Sequence, residues 1–210
     1  MSSPRERPEL IWFEVIAVLA IALLPIPGVV PLALPLVLAG SISRSLRGRS
    51  WNEVMQGGGT RVLVGFAAGA VALGIALVLG NQSLNVLYAG AGDQIVAVID
   101  LAGTGQTSAL VIAVVAIALI AFATELALRG WIVERVLELS PGSPVLPVIV
   151  GALAEALVTP GDPPVRISAA VFGAGLGWIY VAGGRSVVAP ACARALFQCG
   201  AVALEALRLV

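Results

Sequence analysis

Glu125 and Arg129 are the pair of residues best placed to do chemistry. They close a run, Leu101 to Thr124, that carries no charge and is long enough to cross a bilayer. Spaced i, i+4, they share one face of a helix, a little over one turn apart. A carboxylate at membrane depth is expensive to hold and is by default a candidate functional group. The chemistry open to it is proton transfer, with the guanidinium managing charge. The plainer alternative is a snorkelling pair, Arg129 reaching lipid headgroups at the membrane surface. Later apolar runs add Glu155, Arg194 and Glu205.

The composition says what must position these groups. The chain has 210 residues, of which 59% are hydrophobic and 11% charged, and its mean hydropathy is +1.03. A soluble domain is typically about 25% charged, so this is an all-α, polytopic membrane helix bundle. At about 20 residues per crossing, the length allows about six or seven helices and no sizeable soluble domain. The formal net charge of zero argues against a nucleic-acid partner. All twelve basic residues are Arg, and His is absent. Cys192 and Cys199 lie seven apart on one expected helix, roughly 10 Å between Cα atoms, too far for a disulfide. Neither a metal-ligand cluster nor any cofactor is expected.

Seven spans are expected. Ile11 to Leu24 is apolar except for Glu14, which is read as an interfacial group in preference to an interior polar contact. Arg5 and Arg7 precede this run as in a signal peptide, but no small-residue cleavage site follows, so it is read as the first membrane helix. Pro25-Ile-Pro-Gly28 breaks it, and Val29 to Ser43 follows, with Pro31 and Pro35 predicting a kink. Arg44, Arg47 and Arg49, Trp51 and Gly57-Gly-Gly59 read as a basic cytoplasmic piece with an interfacial tryptophan. The third span is Val62 to Leu79. An external loop with a short helix at Gln94 to Leu101 leads to the fourth, Thr107 to about Leu128, with surface-lying helical turns continuing to Leu139. Ser140-Pro-Gly-Ser-Pro144 turns the chain into the fifth span, Val145 to about Val158. Thr159-Pro-Gly-Asp-Pro-Pro164 is a second turn. The sixth, Ile167 to Ala182, carries Gly173-x-x-x-Gly177, whose meaning is close helix packing. The seventh is Val187 to about Leu207. With the N-terminus inside, nine arginines face the cytoplasm and two, Arg166 and Arg208, the outside, which predicts a multi-pass protein of the cytoplasmic membrane with a cytoplasmic N-terminus. The division expected is an N-terminal hairpin, residues 1–43, and a core, 44–210, in one membrane domain.

Thr124-Glu-Leu-Ala-Leu-Arg129-Gly130 resembles the E-E-x-x-x-R-G motif of the CPBP intramembrane proteases, the family of the type II CAAX prenyl endopeptidases. Phe172-Gly-Ala-Gly-Leu-Gly-Trp-Ile-Tyr180, the Gly183-Gly-Arg-Ser186 turn, Val188-Ala-Pro190 and Ala193-Arg-Ala-Leu-Phe-Gln198 are similar to the family's F-G-x-x-L-G-W-x-Y, turn, W-A-P and A-H-A-x-x-N ending. The resemblance covers roughly Arg44 to Gln198. It implies a site in which the first Glu acts as general base on a water with a His from an F-x-x-x-H motif, while a second His and an Asn steady the oxyanion. Those positions fall here on Thr124, Thr159, Arg194 and Gln198. Glu125, Arg129 and Gly130 stand unchanged.

Threonine cannot take a proton from water near neutral pH. Losing a general base forfeits about 10²–10⁴-fold in rate, and losing an oxyanion donor about 10²–10³-fold more. Arg194 and Gln198 could still supply electrostatic help. Glu125, Glu155, Arg129 and Arg194 make two negatives and two positives, which suggests an internal ion-pair network where the catalytic site stood. The expectation is a pseudoprotease that binds membrane-anchored or prenylated peptides, with Glu155 and Arg194 in the binding role. The alternatives are an active endopeptidase using Glu125, and a transporter or channel subunit.

Overall fold

The computed structural model describes residues 8–22, 33–79, 106–140, 142–159 and 161–206. Among them every regular element is a helix: α1 (Pro8–Ala22), α2 (Ala33–Leu46), a 3-10 turn (Trp51–Glu53), α3 (Gly59–Leu79), α4 (Gln106–Ala127), a π-helical turn (Leu128–Val133), α5 (Glu134–Leu139), α6 (Val145–Val158), α7 (Pro163–Ala182) and α8 (Val188–Ala206). Three helical stretches are long and apolar enough to cross a membrane: Gly59–Val78, Val111–Leu139 and Pro163–Ala182. Three shorter apolar helices, Ala33–Leu46, Val145–Val158 and Val188–Leu204, pack among them. Large apolar side chains cover the outside; Val78 is 88% exposed and Val171 70%. A soluble protein would bury such side chains, whereas a bilayer solvates them. The expected helix at Gln94 to Leu101, and the prolines at 25, 27 and 31, lie outside the described residues.

Small residues set how closely the helices approach. A Cβ on Gly69 of α3 would stand 3.1 Å from the Ala193 Cα of α8, and one on Gly65 would stand 2.7 Å from the Cys192 Cβ. Gly173 and Gly177 do the same for α7 on α6, where an added Cβ would stand 2.8 Å from the Glu155 Cβ and 3.7 Å from the Val148 Cα. On α6, Gly151 leaves room for Val133, whose Cγ2 would meet an added Cβ at 2.7 Å.

The structure differs from the sequence reading here in two respects. The turns after Leu128, expected to be surface-lying, pack inside the bundle. Leu128, Trp131, Ile132, Val133, Val136 and Leu137 are buried, and Trp131 stacks against Gly40 of α2, where a Cβ would come within 3.1 Å of the ring. Pro163 and Pro164 open α7 instead of ending a turn before it, and in a first turn a proline's missing N–H has no intrahelical partner to lose.

Candidate functional site

Four charged side chains from three helices meet in the interior. Arg129 NH1 donates to Glu125 Oε1 at 3.2 Å and to Glu155 Oε2 at 2.6 Å. Arg194 Nε donates to the same Glu125 oxygen at 2.6 Å, and its NH2 to the same Glu155 oxygen at 2.5 Å. Each arginine therefore touches both carboxylates, and the ring of four is neutral. Glu125 and Arg129 are fully buried, Glu155 is 3% exposed and Arg194 6%. An isolated charge so placed would carry a desolvation penalty of several kcal/mol, which is tolerable only with this kind of mutual contact. Snorkelling is thereby excluded for all four.

Each helix contributes for a local reason. On α4, Glu125 and Arg129 sit one turn apart, and Arg129 falls in the π turn that follows. Such a turn frees a backbone carbonyl from the regular ladder. Here the Gly130 carbonyl accepts from Arg44 NH1 at 2.9 Å. On α7, the Gly173 carbonyl accepts from Arg129 NH2 at 2.8 Å. A side chain at 173 would stand 2.8 Å from the Glu155 Cβ and 3.2 Å from Arg129 NH2, so the glycine makes room for the two ions as well as for the helix. On α8, the Arg194 guanidinium lies 5.5 Å from the centre of the Phe172 ring, which itself packs on Phe197. Two polar atoms of the ring have no protein partner, Glu125 Oε2 and Arg129 Nε.

The positions expected to be catalytic stand differently. Thr124 Oγ1 donates to the Ile120 carbonyl at 2.8 Å, and Thr159 Oγ1 to the Glu155 carbonyl at 2.8 Å; both hydroxyls serve their own helix backbone. Gln198 lies half-buried one turn beyond Arg194 and outside the ring. Among the described residues no three His, Cys, Asp or Glu side chains converge as a metal site would need, and Cys192 and Cys199 are free thiols.

A second polar cluster went unrecognised in the sequence. Glu14 of α1 is an interior contact, not an interfacial group: it accepts from Trp131 Nε1 at 3.0 Å and from Arg135 Nε at 2.7 Å, and bonds the Ser43 hydroxyl. Arg135 also pairs with Glu138, which Arg47 NH1 meets at 3.2 Å. The available signal was a lone charge inside the first apolar run, matched by basic residues at 47 and 135.

Residues 106–200 match the family model described as type II CAAX prenyl endopeptidase Rce1-like. The match covers just under half of the chain and supports membership of the CPBP intramembrane protease family. The matched region runs from the start of α4 into α8 and holds all four members of the buried ring. No curated protein and no solved structure matches the chain. Within a CPBP fold, then, the E-x-x-x-R-G remnant Glu125, Arg129 and Gly130 feeds a closed ion-pair ring and a carbonyl contact to Arg44.

Proposed function

We propose that this CPBP-family protein is a pseudoprotease: a bundle that binds membrane-anchored or prenylated peptides in the bilayer without cutting them. The observation that carries the reading is the double engagement of both carboxylates. A general base must be free to accept a proton from water, yet Glu125 and Glu155 are each held by two guanidinium groups within 3.2 Å. No histidine is present to take over, and the family's base position, Thr124, spends its hydroxyl proton on a helix carbonyl. Seven crossings of the cytoplasmic membrane, with the N-terminus and the basic Arg44–Arg49 segment on the cytoplasmic side, complete the proposal.

The test is a cleavage and binding assay on a prenylated CAAX peptide with reconstituted full-length protein, comparing wild type with Glu125→Ala. Binding without turnover in the wild type is expected. Turnover that disappears in Glu125→Ala would overturn the reading.

One observation favours a second reading, an active glutamate-dependent endopeptidase. Glu125 Oε2 is buried without a protein partner, and a water bonded there would be next to a carboxylate. The same assay separates the two. A transporter or channel subunit is less well supported, since the four interior charges close on one another and do not form a polar stripe.

A further inference from the structure

Between the end of α2 and the 3-10 turn the chain folds over a cavity of about 410 Å³. Its walls carry Arg44, Arg49, the hydroxyls of Ser45 and Ser50, the Trp51 ring, and no carboxylate. The two cations are held differently. Arg44 is 3% exposed and lies 4.8 Å from the centre of the Trp51 ring. Its NH1 and NH2 go to the neutral carbonyls of Gly130 and Ser50 at 2.9 and 2.5 Å, and its Nε is buried without a partner. The half-exposed Glu53 carboxylate stands 3.7 Å from Arg44 NH2 and 3.3 Å from Arg49, so the two cations share it. Arg49 is half-exposed and reaches Glu53 at 3.3 Å and Glu138 at 3.8 Å. Both contacts are solvent-screened pairs of the kind that a competing anion displaces at little cost.

A second feature leads to the same place. Leu34, Leu38, Ile42 and Leu46 form a single file at i+4 spacing along α2, each between 50% and 83% exposed. The file spans roughly 18 Å at 1.5 Å per residue and ends at Leu46, next in sequence to the lining residue Ser45. An exposed apolar track running into a cationic, hydroxyl-lined pocket has the two-part chemistry of a phospholipid, acyl chain below and phosphate above.

We propose that this cavity receives the phosphate of an anionic phospholipid. The phosphate oxygens accept from Arg49, Ser45 and Ser50 over the buried Arg44 charge, and one acyl chain follows the Leu34–Leu46 file. The lipid then links α2 to the π turn through Arg44, which bonds the Gly130 carbonyl beneath it.

A phosphate group could also come from free inorganic phosphate, so the experiment has two arms. In the first, native mass spectrometry follows full-length protein in micelles holding equal amounts of phosphatidylglycerol and phosphatidylcholine with matched chains. The wild type retains phosphatidylglycerol preferentially. Arg49→Gln and Ser45→Asp, both at exposed positions, each lower that preference by about fivefold, the fold-change that corresponds to about 1 kcal/mol per basic residue at an anionic surface. Arg166→Gln, which removes an exposed arginine on α7, leaves it unchanged. Equal retention of the two lipids by the wild type, unchanged preference in both pocket variants, or an equal drop in Arg166→Gln overturns the site. In the second arm, inorganic phosphate raises the thermal midpoint of the wild type less than phosphatidylglycerol does; protection as strong as the lipid's means a free-anion site and overturns the lipid assignment.

Discussion

Glu155→Met and Arg194→Met, alone and together, test whether the buried ring is held by charge. Glu155→Met removes two contacts, at 2.6 Å to Arg129 and 2.5 Å to Arg194, and leaves two guanidinium groups facing one carboxylate. Arg194→Met leaves two carboxylates facing one guanidinium. Removing one partner of a buried pair strands an uncompensated charge and costs about 3–5 kcal/mol. Against a total stability of about 5–15 kcal/mol, each single substitution takes about a fifth or more of it. The double variant keeps Glu125 and Arg129 as an isolated 3.2 Å pair, restores neutrality, and fills the space with apolar side chains of similar length. It is therefore expected to be more stable than either single variant, with a coupling energy at the upper end of the usual range, about 3 kcal/mol. Equilibrium unfolding in mixed micelles reads all four corners of the cycle. Additive losses, or single variants as stable as wild type, would refute the idea that these ions depend on one another.

Three further outcomes follow from the same geometry. Gly173→Ala should lower stability by about 1–3 kcal/mol, the usual range for overpacking, because its Cβ would stand 2.8 Å from the Glu155 Cβ, whereas Gly175→Ala, with open space around it, should leave the thermal midpoint within error or raise it. Arg44→Met should cost about 1–3 kcal/mol by orphaning the Gly130 carbonyl, read as a lowered midpoint in thermal unfolding. Trp131→Phe keeps the stacking on Gly40 but removes the indole donor to Glu14 and Ser43; a loss of about 1 kcal/mol is expected in the same assay, and none would mean that Arg135 and Ser43 hold the Glu14 contact without it.

The bundle was legible in the sequence because composition alone demands it. The meeting of Glu125, Glu155, Arg129 and Arg194 could be anticipated from charge balance, since equal numbers of opposite charges within apolar helices have few stable arrangements other than contact. Much else was hidden. The charges at Arg129, Glu134, Arg135 and Glu138 make the turns after Leu128 read as surface-lying, although Trp131 and Val136 lie in the interior. Glu14 read as interfacial, because its partners at 43, 131 and 135 are remote in sequence. Gly173 could be read as a packing residue, but its carbonyl bond to Arg129 depends on the rotation of α7, which no local pattern encodes.

The π turn at Leu128–Val133 has a consequence for how this segment can change over time. A π turn is in effect one inserted residue in an α-helix. Because the wide turn takes up that extra residue, deleting one residue between 128 and 133 would let the segment relax to ordinary winding with Arg135 still on the face it now presents to Glu14. The same deletion in the regular part of α4 would swing everything beyond it by about 100°. Length should accordingly be freer to vary by one residue in this short stretch than in the regular helix before it.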